Sequence, residues 1–146
     1  FYLFNLEQTA HSPHYYYHKF DPEDKKSHRR SVYRFVVRSQ PNPFMTTLDC
    51  ADSSQSTPRR NETLTALQAL SLLNNKFTLS MSQHFAERLT KEVSEMENQV
   101  RAGFELVTGR SPNAEEHRLL LEYADKHGTP NLCRSLFSLS EFAFID

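Results

Sequence analysis

The chain has 146 residues, a formal net charge of −1, 38% hydrophobic residues and no tryptophan. This length supports one domain with its own core, and the near-neutral charge provides no basic surface for nucleic acid or an anionic membrane. No apolar run approaches the roughly 20 residues of a membrane span, and no signal peptide is recognisable. Because the sequence begins with Phe1 rather than Met, we expect a piece of a longer protein.

The first 27 residues have no regular hydrophobic pattern, and we expect them to be irregular. Four of the seven histidines lie in this part of the chain or just after it: His11, His14, His18 and His28. On a helix, His14 and His18 would share a face and suit zinc. However, Pro13 and the tyrosines argue against a helix, and no cysteine or carboxylate completes a known spacing. We therefore favour a surface segment and predict no metal site.

An extended segment is predicted over residues 29–39, where apolar residues alternate with arginines. Tyr33, Phe35 and Val37 would share an apolar face that lies on the core. The prolines that follow cannot donate to a sheet, so the strand should end there. Residues 45–61 are then predicted to form a long loop, and such loops inside a domain are usually functional or held by side chains.

Helical periodicity dominates the remainder of the chain. We predict a first helix over residues 62–74, capped by Asn61 or Thr63. The next runs from Phe77 towards Thr108, with a kink or break near Gly103. Two more follow at residues 112–126, capped by Ser111, and from Thr129 onward, with Gly109 and Gly128 as helix ends. The prediction is a mainly α fold: an orthogonal bundle of about four to five helices with a short extended N-terminal segment, in a single domain over residues 1–146.

A loop rich in charge precedes the first predicted helix. Asp49 and Asp52 flank Cys50, and Arg59 and Arg60 stand next to the helix start. Mutual pairing that pins the loop is the interpretation we favour. A helix N-terminus with two guanidiniums could also form an anion or ligand pocket, and catalytic carboxylates are a third interpretation. No recognisable nucleophile, metalloprotease or phosphate-loop motif is present, and neither cysteine lies in a haem-attachment motif, so no cofactor is predicted.

Several separated motifs occur in a characteristic order: "RRSVYRFVVRSQPNPFMTTLDCAD", "RRNETLTALQALSLLNN", "HFAERL", "TGRSPNAEE" and "NLCRSLFSLSEFAFID". Together, over roughly residues 28–146, they resemble the C-terminal part of the DUF1553 family, also called planctomycete PSD1. The residues that match the family's polar pattern are Asp49, Asp52, Arg59, Arg60, Thr63, Thr65, Gln68 and Asn74. The departures are Cys50, Ala66 in place of a proline, and Asn75 in place of an aspartate.

The resemblance implies a large exported protein, in the periplasm or at the cell surface. Its upstream partners in the same chain would be a DUF1549-like domain and a cytochrome c-like segment. Export would allow a disulfide between Cys50 and Cys133, although we favour two separate buried thiols. The resemblance implies no reaction, so two functions stay open. One is a non-catalytic helical structural or interaction module. The other is a subdomain of an uncharacterised, polysaccharide-related enzyme whose cleft is lined by the loop over residues 48–63.

Overall fold

In a computed structural model of the protein, residues 6–8, 13–25, 28–33, 40–51, 55–56, 58, 63 and 65–143 are described. The chain divides into an N-terminal unit, residues 1–71, and a C-terminal unit, residues 72–146. The strands and helices of the described residues are, in order, β1 (Leu6–Gln8), β2 (Pro13–Tyr15), α1 (Pro43–Thr47), α2 (Ala66–Asn74), α3 (Lys76–Glu92), α4 (Met96–Thr108), α5 (Ala114–His127), α6 (Thr129–Leu136) and α7 (Ser140–Ala143).

The prediction of a mainly helical protein is confirmed. The described residues contain seven α-helices rather than four to five. Five of them, α2 to α6, have eight or more residues. In the N-terminal part, β1 and β2 pair antiparallel with Leu6 opposite Tyr15. The single domain over residues 1–146 stays a prediction.

The strand predicted over residues 29–39 is wrong at its described beginning. Ser31–Tyr33 forms a 3₁₀ turn, closed by the amide of Tyr33 donating to the carbonyl of Arg30 at 3.0 Å. Val32 and Tyr33 are 74% and 72% exposed, so this turn does not place Tyr33 on a core. Alternation alone suggested a strand, but a local hydrogen bond decided the conformation here. Residues 34–39 lie outside the described residues.

A short helix that the sequence interpretation missed opens the predicted loop. α1 begins after Asn42, whose side chain accepts hydrogen bonds from the amides of Phe44 and Met45, with Pro43 in the first turn. Proline at the start of a helix loses no hydrogen bond, because that amide has no partner inside the helix. A proline that we expected to end a strand therefore starts a helix instead.

The long helix predicted from Phe77 towards Thr108 is two helices, and the break is not at Gly103. Val93 is extended, and its carbonyl accepts a 2.8 Å hydrogen bond from the Nε2 of Gln99, which holds the turn. Gly103 lies inside α4, where an added Cβ would stand 3.0 Å from Leu89 and 3.5 Å from Leu136. This glycine marks close packing of α4 against two other helices.

The start of α5 also differs from the prediction, while both predicted glycine ends are confirmed. Asn113, not Ser111, caps α5, in a capping box with Glu116. The hydroxyl of Ser111 instead donates to the carboxylate of Glu105 at 2.7 Å. Gly109 and Gly128 end α4 and α5 with φ of 75° and 82°, a conformation that side chains disfavour.

The core of the C-terminal unit comes from α3 to α6. Two groups of buried apolar residues form it: Val100, Phe104, Ala124, Leu132 and Leu136, and Ala86, Leu89 and Cys133. Leu89, Val100, Leu132 and Leu136 are fully buried. In the described residues no helix is long and apolar enough to cross a bilayer.

Candidate functional site

Asp49, the first acid of the charged loop, lies just after α1 and is held by a dense set of hydrogen bonds. Its Oδ2 accepts from the amide of Thr63 and from its hydroxyl, both at 2.7 Å. The same oxygen accepts from the Nε2 of Gln68 at 2.9 Å. Its φ of 56° lies in the left-handed region, which aspartate tolerates better than most residues. The chain is therefore turned so that one carboxylate oxygen meets three donors.

Gln68 is the partner that connects Asp49 to α2. Its side-chain Oε1 accepts a hydrogen bond from the backbone amide of Thr65 at 2.9 Å. The backbone amide of Gln68 in turn donates to the hydroxyl of Thr65 at 3.2 Å. This reciprocal pair is a capping box, which satisfies two amides at the start of a helix. Thr65 thus takes the capping role that we predicted for Asn61 or Thr63. The spacing Thr-x-x-Gln was readable in the sequence and was the signal that we missed.

One further hydrogen bond closes the arrangement. The Nε2 of Gln68 also donates to the hydroxyl of Thr63 at 2.9 Å, and that hydroxyl donates to Asp49. Gln68 is only 6% exposed, although it lies on a helix whose Leu67 and Leu70 are 65% and 56% exposed. We call Asp49, Thr63, Thr65 and Gln68 the polar cluster. The buried side chain of α2 is therefore that of a glutamine, while two of the helix's leucines are mostly exposed.

Asn74, the last residue of the predicted site, belongs to the other end of α2. Its Oδ1 accepts from the Nη2 of Arg134 at 2.9 Å, and the Nε of Arg134 donates to the carbonyl of Leu73 at 2.7 Å. The guanidinium from α6 thereby satisfies a carbonyl that the end of a helix leaves without a helical partner. Of the eight predicted site residues, four form the polar cluster and Asn74 does not. Asp52, Arg59 and Arg60 lie outside the described residues.

A second charged group, which the sequence interpretation did not find, lies in the C-terminal unit. Arg110 donates to both oxygens of Glu116 at 2.9 and 2.7 Å and to both oxygens of Glu141 at 3.1 and 2.9 Å. Its guanidinium carbon also lies 4.8 Å from the centre of the Phe104 ring. Because Glu141 is 31 residues away in sequence, no local sequence pattern predicts this contact.

These contacts alter the acid–base behaviour of the group. The hydrogen bond from Arg110, together with the one from the Asn113 amide, lowers the pKa of Glu116 to about 2. The two carboxylates raise the pKa of Arg110 further above its ordinary range. The Arg110–Glu116 pair therefore stays ionised over the whole range in which most proteins are folded.

The two histidines considered for zinc do not share a helix face. His14 lies in β2 and His18 in a 3₁₀ turn over Tyr17–Lys19, because the tyrosine-rich segment is not helical. Among the described residues there is no group of three or more histidines, cysteines or acids that could hold a metal ion.

Both cysteines are free thiols in the structure, Cys50 exposed and Cys133 buried. Burial raises the pKa of the Cys133 thiol to about 12, so that it is not a nucleophile at neutral pH. The expectation of two buried thiols is thus correct for Cys133 and wrong for Cys50. The Cys50–Cys133 disulfide stays an alternative for the oxidised protein.

Two open grooves lie in the C-terminal unit. One, of about 610 Å³, runs between α3 and the start of α6 over Ala86, Thr90 and Thr129. The other, of about 440 Å³, lies between α4 and the start of α5, near Glu105 and His117. No residue of the polar cluster lines either groove. In the second groove, the hydroxyl of Ser111 donates to the carboxylate of Glu105 at 2.7 Å.

The fold and the polar cluster define a helical protein in which a hydrogen-bonded group around the buried Gln68 supports the start of α2. The family PSD1, described as "Protein of unknown function (DUF1553)", matches residues 4–124. The chain belongs to this family. The match begins earlier than the resemblance near residue 28 suggested, and it ends within α5 rather than at residue 146. No curated protein and no solved structure matches the chain.

Proposed function

We propose that this chain is a non-catalytic structural or interaction module of a larger exported protein. The observation that carries the proposal is the set of hydrogen bonds that the carboxylate of Asp49 accepts. Its Oδ2 accepts three hydrogen bonds from Thr63 and Gln68. A carboxylate oxygen that serves as a general base needs a proton donor of the substrate within hydrogen-bond reach. Here three protein donors take that place, and they tie the end of α1 to the start of α2.

The proposed place of the module in the parent protein follows from the family resemblance. The chain would lie downstream of a DUF1549-like domain and a cytochrome c-like segment, in the periplasm or at the cell surface. A polar cluster that holds a connecting segment against a helix suits such a supporting role, because it specifies one conformation of the chain between two elements.

Double-mutant cycles on the polar cluster test the proposal. Asp49→Ala should lower the free energy of unfolding by about 1–3 kcal/mol, because it leaves the donors of Thr63 and Gln68 without their acceptor. The cycle of Asp49→Ala with Thr63→Ala should give a coupling energy of about 0.5–3 kcal/mol, as expected for residues in one network. Urea unfolding followed by circular dichroism measures both. Asp125→Ala, which removes an exposed carboxylate of α5, is the control and should change stability by about 0.5 kcal/mol or less.

A second candidate, a subdomain of an uncharacterised, polysaccharide-related enzyme, is favoured by one observation. Asp49 is the one non-glycine residue with positive φ in the described part of the chain, and such conformations cluster at functional sites. A strained residue that serves catalysis lowers the free energy of unfolding of the protein that carries it. If Asp49→Ala leaves the free energy of unfolding unchanged or raises it, the module is contradicted and the enzyme is supported.

A further inference from the structure

α7 differs from the other helices of the C-terminal unit in how it is held. It has four residues, none of them buried, and all four are exposed. By contrast, α3 to α6 each contribute buried residues to the unit. A segment with so little buried surface opens locally at a small cost in free energy. The contacts that hold it therefore decide how often it is closed.

Two side chains of α7 make the contacts to the rest of the unit. Phe142 stacks on Phe137, with ring centres 5.0 Å apart, and Phe137 stacks on Phe85 of α3 at 5.5 Å. Glu141 accepts two hydrogen bonds from Arg110, in the turn between α4 and α5. In the described residues, α7 thus places one ring on an aromatic pair and one carboxylate on Arg110.

The two carboxylates on Arg110 are not equivalent. Glu116 lies on α5, a helix of 14 residues, and also receives the amide of Asn113 at 2.8 Å in the capping box. These bonds keep the pKa of Glu116 at about 2 and hold its carboxylate beside Arg110. The side chain of Glu141 is 50% exposed, against 32% for that of Glu116. Glu116 is therefore the more firmly held of the two carboxylates.

We propose that α7 is a releasable strap, closed by the Arg110–Glu141 ion pair over the aromatic pair Phe85 and Phe137 and opened by salt. The stack of Phe142 on Phe137 and an exposed ion pair each contribute only a small free energy. The conformational entropy of a four-residue segment opposes both contacts. Screening of one ion pair therefore shifts the population of the closed state and uncovers Phe137.

The absence of tryptophan from the chain allows a direct test in the full chain. In Phe142→Trp, the single indole would report the closed state, in which it lies on Phe137. Raising NaCl from ~10 mM to ~1 M shortens the Debye length from roughly 30 to 3 Å. We expect the emission to shift to longer wavelength while the far-UV circular dichroism of the helices stays unchanged.

Two further substitutions in the Phe142→Trp protein separate the strap from a general effect of charge. With Glu141→Gln added, the emission at low salt should already equal the high-salt emission and respond little to NaCl. Glu122→Gln removes a matched exposed carboxylate, paired with Arg118 at 3.7 Å and remote in sequence from α7. It should leave the salt response of Phe142→Trp as it was.

Hydrogen exchange on the unaltered chain guards against an effect of the tryptophan itself. Amides of residues 139–143 should exchange faster at high salt, while those of α4 and α6 keep their protection. The strap is overturned if neither the emission nor this exchange responds to salt, or if Glu122→Gln shifts the emission as much as Glu141→Gln does.

Discussion

The two units of the chain are stabilised by different chemistry. In the C-terminal unit, leucines, a valine and a phenylalanine from several helices form the core. In the N-terminal unit, Gln68 is the one buried residue among those whose burial is described, and its side chain is polar. Its leucine neighbour Leu67 is 65% exposed. Apolar burial is non-directional, whereas the polar cluster depends on the position of each donor and acceptor. Each unit should therefore respond differently to the same substitution.

The largest contrast is expected for one substitution made in both units. Leu132→Ala removes a fully buried side chain of α6 and should lower the free energy of unfolding by about 2–5 kcal/mol, because it loses burial and leaves a cavity. Leu67→Ala in α2 should cost less than about 1 kcal/mol, since this side chain is mostly exposed. Urea unfolding of the two variants measures the difference. Equal losses would show that the comparison between the units is wrong.

A smaller loss of stability is expected when the buried side chain of Gln68 is made apolar. Gln68→Leu adds a hydrophobic side chain at a buried position, yet it should destabilise the protein by about 1–3 kcal/mol. The reason is that the amide of Thr65 and the acceptors on Asp49 and Thr63 lose a partner. Gln83→Leu, at an exposed position of α3, is the matched control and should stay within about 0.5 kcal/mol of the parent. Stabilisation by Gln68→Leu would contradict a structural polar cluster.

Arg134 tests whether a polar contact also matters in the apolar unit. Arg134→Ala should cost about 1–2 kcal/mol, because the Leu73 carbonyl and the Asn74 side chain lose their donor. Arg134→Lys should restore little, since an ammonium lacks the planar fork that binds two acceptors at once. Thermal unfolding of both variants measures this. The control is Arg118→Ala, an exposed arginine of α5 whose side chain is 66% exposed. If Arg134→Ala melts like this control, the proposed cap on α2 is unimportant.

The smallest expected effect concerns pH and Glu116. The pKa of this carboxyl is lowered from 4.5 to about 2 in the folded protein. Its contribution is therefore complete above about pH 4.5 and is lost as the pH falls towards 2. Glu116→Gln keeps an acceptor for the capping box but removes the charge. The Tm of this variant should fall less steeply than that of the parent between about pH 4.5 and pH 2.

The exposed pair of Arg118 and Glu122 provides the control for this pH dependence. Glu122→Gln should reproduce the decline of the parent's Tm. Parallel profiles for the parent and Glu116→Gln would show that Arg110 does not hold Glu116 in the way that the hydrogen bonds indicate.

The short-range features of this protein were predictable because they depend on neighbours in sequence. Gly109 and Gly128 end helices since a residue at those positions needs positive φ, and this was predicted. Asn113 with Glu116 and Thr65 with Gln68 are capping boxes with a fixed spacing of three residues. We overlooked both capping boxes, although the residue types and their spacing were sufficient to predict them. The helical character of residues 66–136 likewise follows from local periodicity.

The sequence by itself determined the helical class, the family and the C-terminal ends of α2, α4 and α5, because backbone preference and side-chain period act over a few residues. Only the tertiary structure decided that the long helix breaks at Val93 rather than at Gly103. Gln99 holds the turn there, while Leu89 and Leu136 need the space that the glycine leaves. Tertiary structure also decided the partner of Arg110, since Glu141 is 31 residues away. Such contacts arise from packing between helices, which no local spacing encodes.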